Sequence, residues 1–272
     1  MSGTDGRVYL GTILLEKNRW PDSPATRFTL GERLCWGRAA LPSVRVSDWA
    51  ERARADGFDG LELWENHALL ADDEEFGWLA EMALPVAVYN SYFGLDDGDS
   101  VWREVAAEAV VGLRATGVKY NFGSDLTRRE VYLRNLREWA ALLPADVRLI
   151  CECHKGNIGG DDPAQAACLL DELGEDRYQA TVHFGYEWDE FRAWVEHLGP
   201  RLGHIHAGAN AAQGRTFVAE RVQLLRDQGF RGSFTVEFTE GIAWGPPDPP
   251  LETLYANAVA DLSMLREVWA SE

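Results

Sequence analysis

Basic side chains are scarce. The chain carries 26 Lys and Arg against 44 Asp and Glu, a formal net charge of -18. Such a charge repels phosphate backbones and anionic lipid, so neither nucleic acid nor a membrane is an expected partner. Cysteine is scarcer still. Cys35, Cys151, Cys153 and Cys168 are too few to staple a chain of 272 residues, and a reducing, cytoplasmic setting is the expectation. No run of about 18 apolar residues is present, which excludes a transmembrane helix. The opening Met1-Ser2-Gly3-Thr4-Asp5 lacks the basic and apolar blocks of a signal peptide. No glycine-rich phosphate turn follows the first apolar segment, which reads Leu14-Leu15-Glu16-Lys17, so a dinucleotide-binding open sheet is disfavoured.

What is present is alternation. Hydrophobic residues make up 46% of the chain, enough for a large core. Strand-like apolar runs are expected at 8–14, 61–64, 85–91, 118–122, 147–153, 179–184, 202–206 and 233–238. Amphipathic helical runs fall between them at 46–55, 72–82, 100–116, 127–143, 163–173, 188–198, 217–228 and 251–269. Ser100 and Asp162 read as N-caps, Pro163 as a first helical residue, and Thr127 with Glu130 as a capping box. Eight strands each followed by a helix imply a parallel sheet closed into a (β/α)8 TIM barrel. With no linker or repeat, residues 1–272 read as a single α/β domain.

A barrel of this kind builds its site at the C-terminal ends of its strands. The stretch Ile150-Cys151-Glu152-Cys153-His154 ends one such strand. Alternate side chains point to opposite faces, so Glu152 and His154 are expected on one face and the two cysteines, as core, on the other. His183, His206 and Glu237 fall near the ends of the next three strands. Two carboxylates and two imidazoles around one mouth suit a divalent ion, with Mn2+ favoured and Co2+, Mg2+ and Zn2+ as alternatives. Glu152, His183, His206 and Glu237 are the candidate metal ligands. Glu152 and Glu237 are also candidate catalytic proton carriers, and His154 a candidate acid/base or contact to a substrate hydroxyl. His204 is expected one layer deeper, as a support. Glu62, Trp64, Lys119 and Tyr186 are candidate substrate-binding residues on or after other strands. Eleven Trp in the chain include several placed to hold a ring, among them Trp20, Trp36, Trp64 and Trp244, with Tyr92 beside them.

In these residues the chain resembles the xylose isomerase-like TIM barrel superfamily, in its sugar isomerase and epimerase branch. Phe58-Asp59-Gly60-Leu61-Glu62 resembles the second-strand signature. Cys151-Glu152-Cys153-His154 resembles the fifth-strand Glu-x-His. Gly203-His204-Ile205-His206 resembles the seventh-strand His-x-His, and Thr235-Val236-Glu237 the eighth-strand Glu. The resemblance runs in order along nearly the whole chain. It implies that the four metal ligands are those named above and that Arg215 contacts substrate. It departs from the family in two places. The sixth strand commonly carries Asp, with His three residues later; here His183 and Tyr186 stand instead. After the seventh strand, Ala209 stands where the ketose 3-epimerases have Glu.

The expected function is a divalent-metal-dependent isomerase or epimerase. It would work through a metal-stabilised enediolate on a keto-sugar. The alternative is a lyase that eliminates the aglycone of a 3-keto-glycoside by the same enolate chemistry; a more distant one is a non-catalytic sugar-binding barrel. The expected partner is a small sugar or glycoside, and the resemblance adds a homo-oligomer.

Overall fold

The computed structural model describes residues 6–19, 44–240 and 250–271. Cys35, Trp20, Trp36 and Trp244, singled out above, lie outside them.

Eight strands close into one parallel ring: β1 (Val8–Gly11), β2 (Gly60–Trp64), β3 (Val86–Asn90), β4 (Gly117–Tyr120), β5 (Arg148–Glu152), β6 (Tyr178–His183), β7 (Leu202–His206) and β8 (Ser233–Val236). Each pairs with its neighbours in sequence, and β1 pairs with β8 to close the barrel. The principal helices are α1 (Ser47–Asp56), α2 (Glu65–Leu69), α3 (Asp73–Glu81), α4 (Ser100–Gly112), α5 (Arg129–Ala141), α6 (Pro163–Leu173), α7 (Trp188–Leu198), α8 (Asn210–Gln213), α9 (Arg215–Asp227) and α10 (Leu251–Ala270). The expected TIM barrel is therefore the observed fold. The short helices α2 and α8 are additions that periodicity over so few residues does not reveal.

Local chemistry explains the boundaries. Asp162 caps α6 by accepting from Ala164 N and Gln165 N, with Pro163 in the first turn. Asp72 caps α3 through Glu75 N at 2.8 Å. The capping box expected at Thr127 is not used. Asp125 accepts from Thr127 N at 2.9 Å, a 3-10 turn follows, and α5 starts at Arg129. Strand β1 stops at Gly11 because Thr12 turns its hydroxyl to Trp64 N and to His67 Nδ1, both at 2.9 Å. A 3-10 helix, Thr12–Arg19, takes over. Strand β5 stops at Glu152 because the backbone turns over residues 154–157, Asn157 N donating to His154 O at 3.1 Å.

Most of the core lies between the outer faces of the strands and the helices. Cys151 and Cys153 are buried there, as expected. Inside the barrel, Tyr9, Ala87, Val88 and Ile150 form a separate apolar plug. Polar side chains occupy the levels above it. Gly11 permits closure at the top of the seam: a Cβ there would lie 2.9 Å from Glu237 Cα. No helix among the described residues is long and apolar enough to cross a membrane.

Candidate metal centre and active site

The four ends of β5 to β8 bring Glu152, His183, His206 and Glu237 together. One ligand atom from each lies within 4.8 Å of the other three. Glu152 Oε1 is 3.2 Å from His183 Nε2 and 3.6 Å from His206 Nδ1. His206 Nδ1 is 3.2 Å from His183 Nε2 and 3.0 Å from Glu237 Oε2. Four donors held at about 2.1 Å from an ion would stand about 3.0 to 3.4 Å apart in octahedral or tetrahedral arrangement. Three of the four separations match those edges, and the fourth, Glu152 to His206 at 3.6 Å, is slightly longer. Glu152, His206 and Glu237 are buried, while His183 is half-buried at the mouth, which gives the cluster an entry path.

A second group lies beneath it. Glu62 Oε2 is 3.1 Å from His204 Nε2, and Glu62 Oε1 is 3.2 Å from His206 Nε2. Asn90 Nδ2 donates to Glu62 Oε1 at 2.8 Å. His204 completes its bonds with Ser233 Oγ at 2.8 Å and Thr235 Oγ1 at 2.9 Å. Glu62, His204 and His206 also converge as ligands would. They are wholly enclosed, however, and Glu62 and His204 already pair with Asn90, Ser233 and Thr235, leaving only His206 Nε2 without a hydrogen bond, so this group reads as a support.

The support orients the upper cluster. A carboxylate only accepts, so it selects the Nε2–H form of His204, which bonds it; His206 Nε2 lies 3.2 Å from the same carboxylate outside hydrogen-bond geometry, and there the charge alone favours a proton. The Nδ1 of neutral His206 then keeps its lone pair and faces Glu152, Glu237 and His183. Electrostatics set the charges when no ion is bound. Burial alone would raise Glu62, but His206 and then His204 hold it well below the usual carboxylate range. Burial would likewise raise Glu152; Lys119 first, then His183 and His206, hold it well below. Burial lowers His204 to about 4, against Glu62, so it is a neutral ring at neutral pH. His206 goes the other way: Glu237 and Glu62 overrule burial and hold it well above an ordinary imidazole. The hollow between the four side chains thus calls for positive charge, which His206 supplies as imidazolium and a divalent ion would supply in its place.

Several candidates are placed differently from their expectation. Glu62 is 1% exposed beneath the cluster, with its oxygens turned to His204 and His206. Lys119 is fully buried on β4. It donates to Glu152 Oε2 at 2.5 Å and lies 4.2 Å from the Tyr92 ring, so its ammonium is already engaged by Glu152. Trp64 is 1% exposed and packs with Ile13, Tyr92 and Phe238; it forms wall, not contact surface. His154 leaves the inward strand face because β5 has already ended. It is exposed at the rim, its ring 6.4 Å from that of His183. Tyr186 is half-buried beside His183.

Arg215 is not brought to the mouth. It begins α9 and pairs with Glu267 at 3.1 Å and Ser271 at 3.0 Å on the α10 side. Arg215→Ala is expected to change kcat/KM by no more than roughly twofold, as for a surface substitution worth about 0.5 kcal/mol. Steady-state kinetics on whichever substrate is turned over checks this.

A cavity of about 250 Å³ opens beside the cluster, lined by His183, His206, Glu237 and Phe238 with the small residues Gly185, Gly208 and Ala209. Gly208 is required there: a Cβ would meet the Phe238 carbonyl at 1.9 Å. Ala209 adopts a left-handed conformation, φ 56°, and its N–H bonds Phe238 O at 3.1 Å.

No protein-family model and no curated protein matches the chain. Solved structures do. The probable 3-DHS dehydratase AsbF of Bacillus anthracis, involved in petrobactin synthesis, superposes with TM-score 0.62 at 16% identity over 95% of this chain and 97% of that one. The 3-keto-D-glucoside 4-epimerase YcjR of E. coli gives 0.62 at 18% identity, over 84% and 96%. The IolI protein, solved with a zinc atom bound, gives 0.60 at 12% identity, over 96% of both chains. The resemblance to xylose isomerase-like TIM barrels therefore holds for the fold.

Proposed function

We propose that this barrel, taken as one domain over residues 1–272, is a divalent-metal-dependent isomerase or epimerase of a keto-sugar. The observation that carries the proposal is the convergence of Glu152, His183, His206 and Glu237 at the open end of the barrel. Two carboxylates and two imidazoles suit a transition ion such as Mn2+, Co2+ or Zn2+, with Mg2+ less suited to the nitrogen donors. When bound, such an ion polarises a carbonyl and stabilises the enediolate left by loss of a neighbouring proton.

The chain's own groups do the rest. Glu237 lines the cavity and is assigned to carry the proton off the substrate carbon. Glu152 is assigned to return it from the other side, its second oxygen held by Lys119. His154, exposed at the rim, contacts a substrate hydroxyl. Similarity in fold to a keto-glucoside epimerase supports the choice of reaction without fixing the sugar. In D2O, a panel of ketoses with added metal is expected to yield one that gains deuterium beside its carbonyl. If no ketose in a broad panel is labelled, the enediolate proposal fails.

A second reading follows from one observation. Gly185, Gly208 and Ala209 leave room beside Glu237, where a group leaving from the adjacent carbon would fit. The same proton removal would then end in β-elimination from a 3-keto-glycoside. Release of a phenol from a 3-keto phenyl glycoside, without solvent label in recovered substrate, selects this reading.

A further inference from the structure

The two nitrogens of His183 face different partners, and the outer one decides what the inner one can do. Nε2 points into the cluster, 3.2 Å from both Glu152 Oε1 and His206 Nδ1. Nδ1 points away, 3.3 Å from the Tyr186 hydroxyl. That hydroxyl lies 2.9 Å from the backbone carbonyl of Cys153. A carbonyl oxygen only accepts, so the single phenolic proton goes to Cys153. The tyrosine oxygen then offers His183 only lone pairs, and Nδ1 must carry the ring proton. With the cluster empty, Glu152 draws a proton to Nε2 as well; a cation held by the cluster would displace that proton and leave a neutral ring, whose one proton stays on Nδ1 and whose Nε2 lone pair is free to bind. The reverse assignment would set two oxygens lone pair to lone pair at 2.9 Å.

Tyr186 is itself held in place. Arg221 on α9, 3% exposed, donates from Nε to Phe184 O at 2.9 Å and from Nη2 to Tyr186 O at 2.8 Å. Its guanidinium also covers the Phe217 ring at 3.5 Å. A buried cation thus clamps the two carbonyls flanking Gly185 and fixes where the tyrosine side chain starts.

We infer that Tyr186 is a positioning residue that makes His183 a metal ligand through Nε2. The inference rests on the proposal that the four-residue cluster holds a divalent ion. It explains how the sixth strand works without an acidic ligand: a neutral ring replaces the carboxylate, and a hydroxyl three residues on sets its tautomer. The carboxylate–histidine contact of Glu62 with His206 does the same for the second imidazole.

The test uses the metal-free full chain. Mn2+ binding is followed by EPR of the free ion, and 113Cd2+ binding by 113Cd–15N coupling in histidine-labelled protein. The wild type is expected to take one ion, with coupling to Nε2 of His183 and Nδ1 of His206. Tyr186→Phe is expected to bind Mn2+ about 10- to 100-fold more weakly, as for other groups that orient a metal-bound histidine. Coupling through Nδ1 of His183, or none to His183, overturns the inference, and that reading needs no variant to fold. Unchanged affinity in Tyr186→Phe overturns it too. If the wild type binds and Glu237→Gln does not, such a result removes the Tyr186 role alone. If the wild type takes up no ion, the metal proposal fails and the inference with it.

Discussion

Glu152→Gln is expected to abolish turnover, by at least about 10³-fold, within the range for loss of a positioned proton carrier. It is also expected to lose tight metal binding and to unfold more easily. Three contacts on one carboxylate explain why the effects come together. Oε1 faces His183 and His206, where an ion would sit. Oε2 receives Lys119, which is fully buried. An amide is neutral, so the cluster loses one of two anionic donors and Lys119 loses its counter-charge. Leaving a buried ion unpaired costs about 3–5 kcal/mol. Denaturant melts of metal-free protein isolate that part, since no ion contributes. Lys119→Met in the same background gives the cross-check: it removes the stranded charge, so the double variant is expected to regain most of the stability and none of the activity. A Glu152→Gln protein that turns over at more than a tenth of the wild-type rate would remove Glu152 from the reaction.

Glu62→Gln is expected to weaken metal binding by about 10- to 100-fold although Glu62 is not among the four converging ligands. His204 Nε2 and Asn90 Nδ2 donate to its carboxylate, and His206 Nε2 lies 3.2 Å from it. An amide has one acceptor oxygen and brings N–H groups of its own, so at least one imidazole N–H is left facing a donor. Each such mismatch costs about 1–3 kcal/mol in a buried site. The ring freed to change tautomer is His206, and protonation at Nδ1 would point a hydrogen at Glu237 and Glu152. Mn2+ affinity and denaturant stability are both expected to fall, with the shape of the variant's core unchanged. Wild-type affinity in Glu62→Gln would mean that the deep group fills space and does not orient His206.

The ends of the strands were the most legible part of the sequence. Period-two alternation in Cys151-Glu152-Cys153 and Gly203-His204-Ile205-His206 gave the inward side chains, and barrel topology told which ends share a mouth. Depth was harder to read. Glu62 has the same inward phase as Trp64 but sits two residues back, so it lies under the site. Arg215 failed for a different reason: the face it presents depends on Glu267, 52 residues later, and no local pattern carries that. His154 was placed by a turn over 154–157, which competes with the strand it was expected to extend. The His183–Tyr186 pair was visible only as a departure. Its meaning lies in a backbone carbonyl on the neighbouring strand's loop, which sequence spacing cannot supply.

The contact between Glu62 and His204 joins residues 142 apart, and the β1–β8 seam joins the first strand to the last. The four converging candidate ligands, by contrast, all come from the second half of the chain. Long-range contacts repay their loop entropy late in folding. A half-barrel ending at Glu237 could therefore gather four donors yet lack the carboxylate that aims His206 and the Gly11 strand that packs against Glu237. Tight ion capture is for that reason expected to need the closed ring and not only the half that carries the four donors.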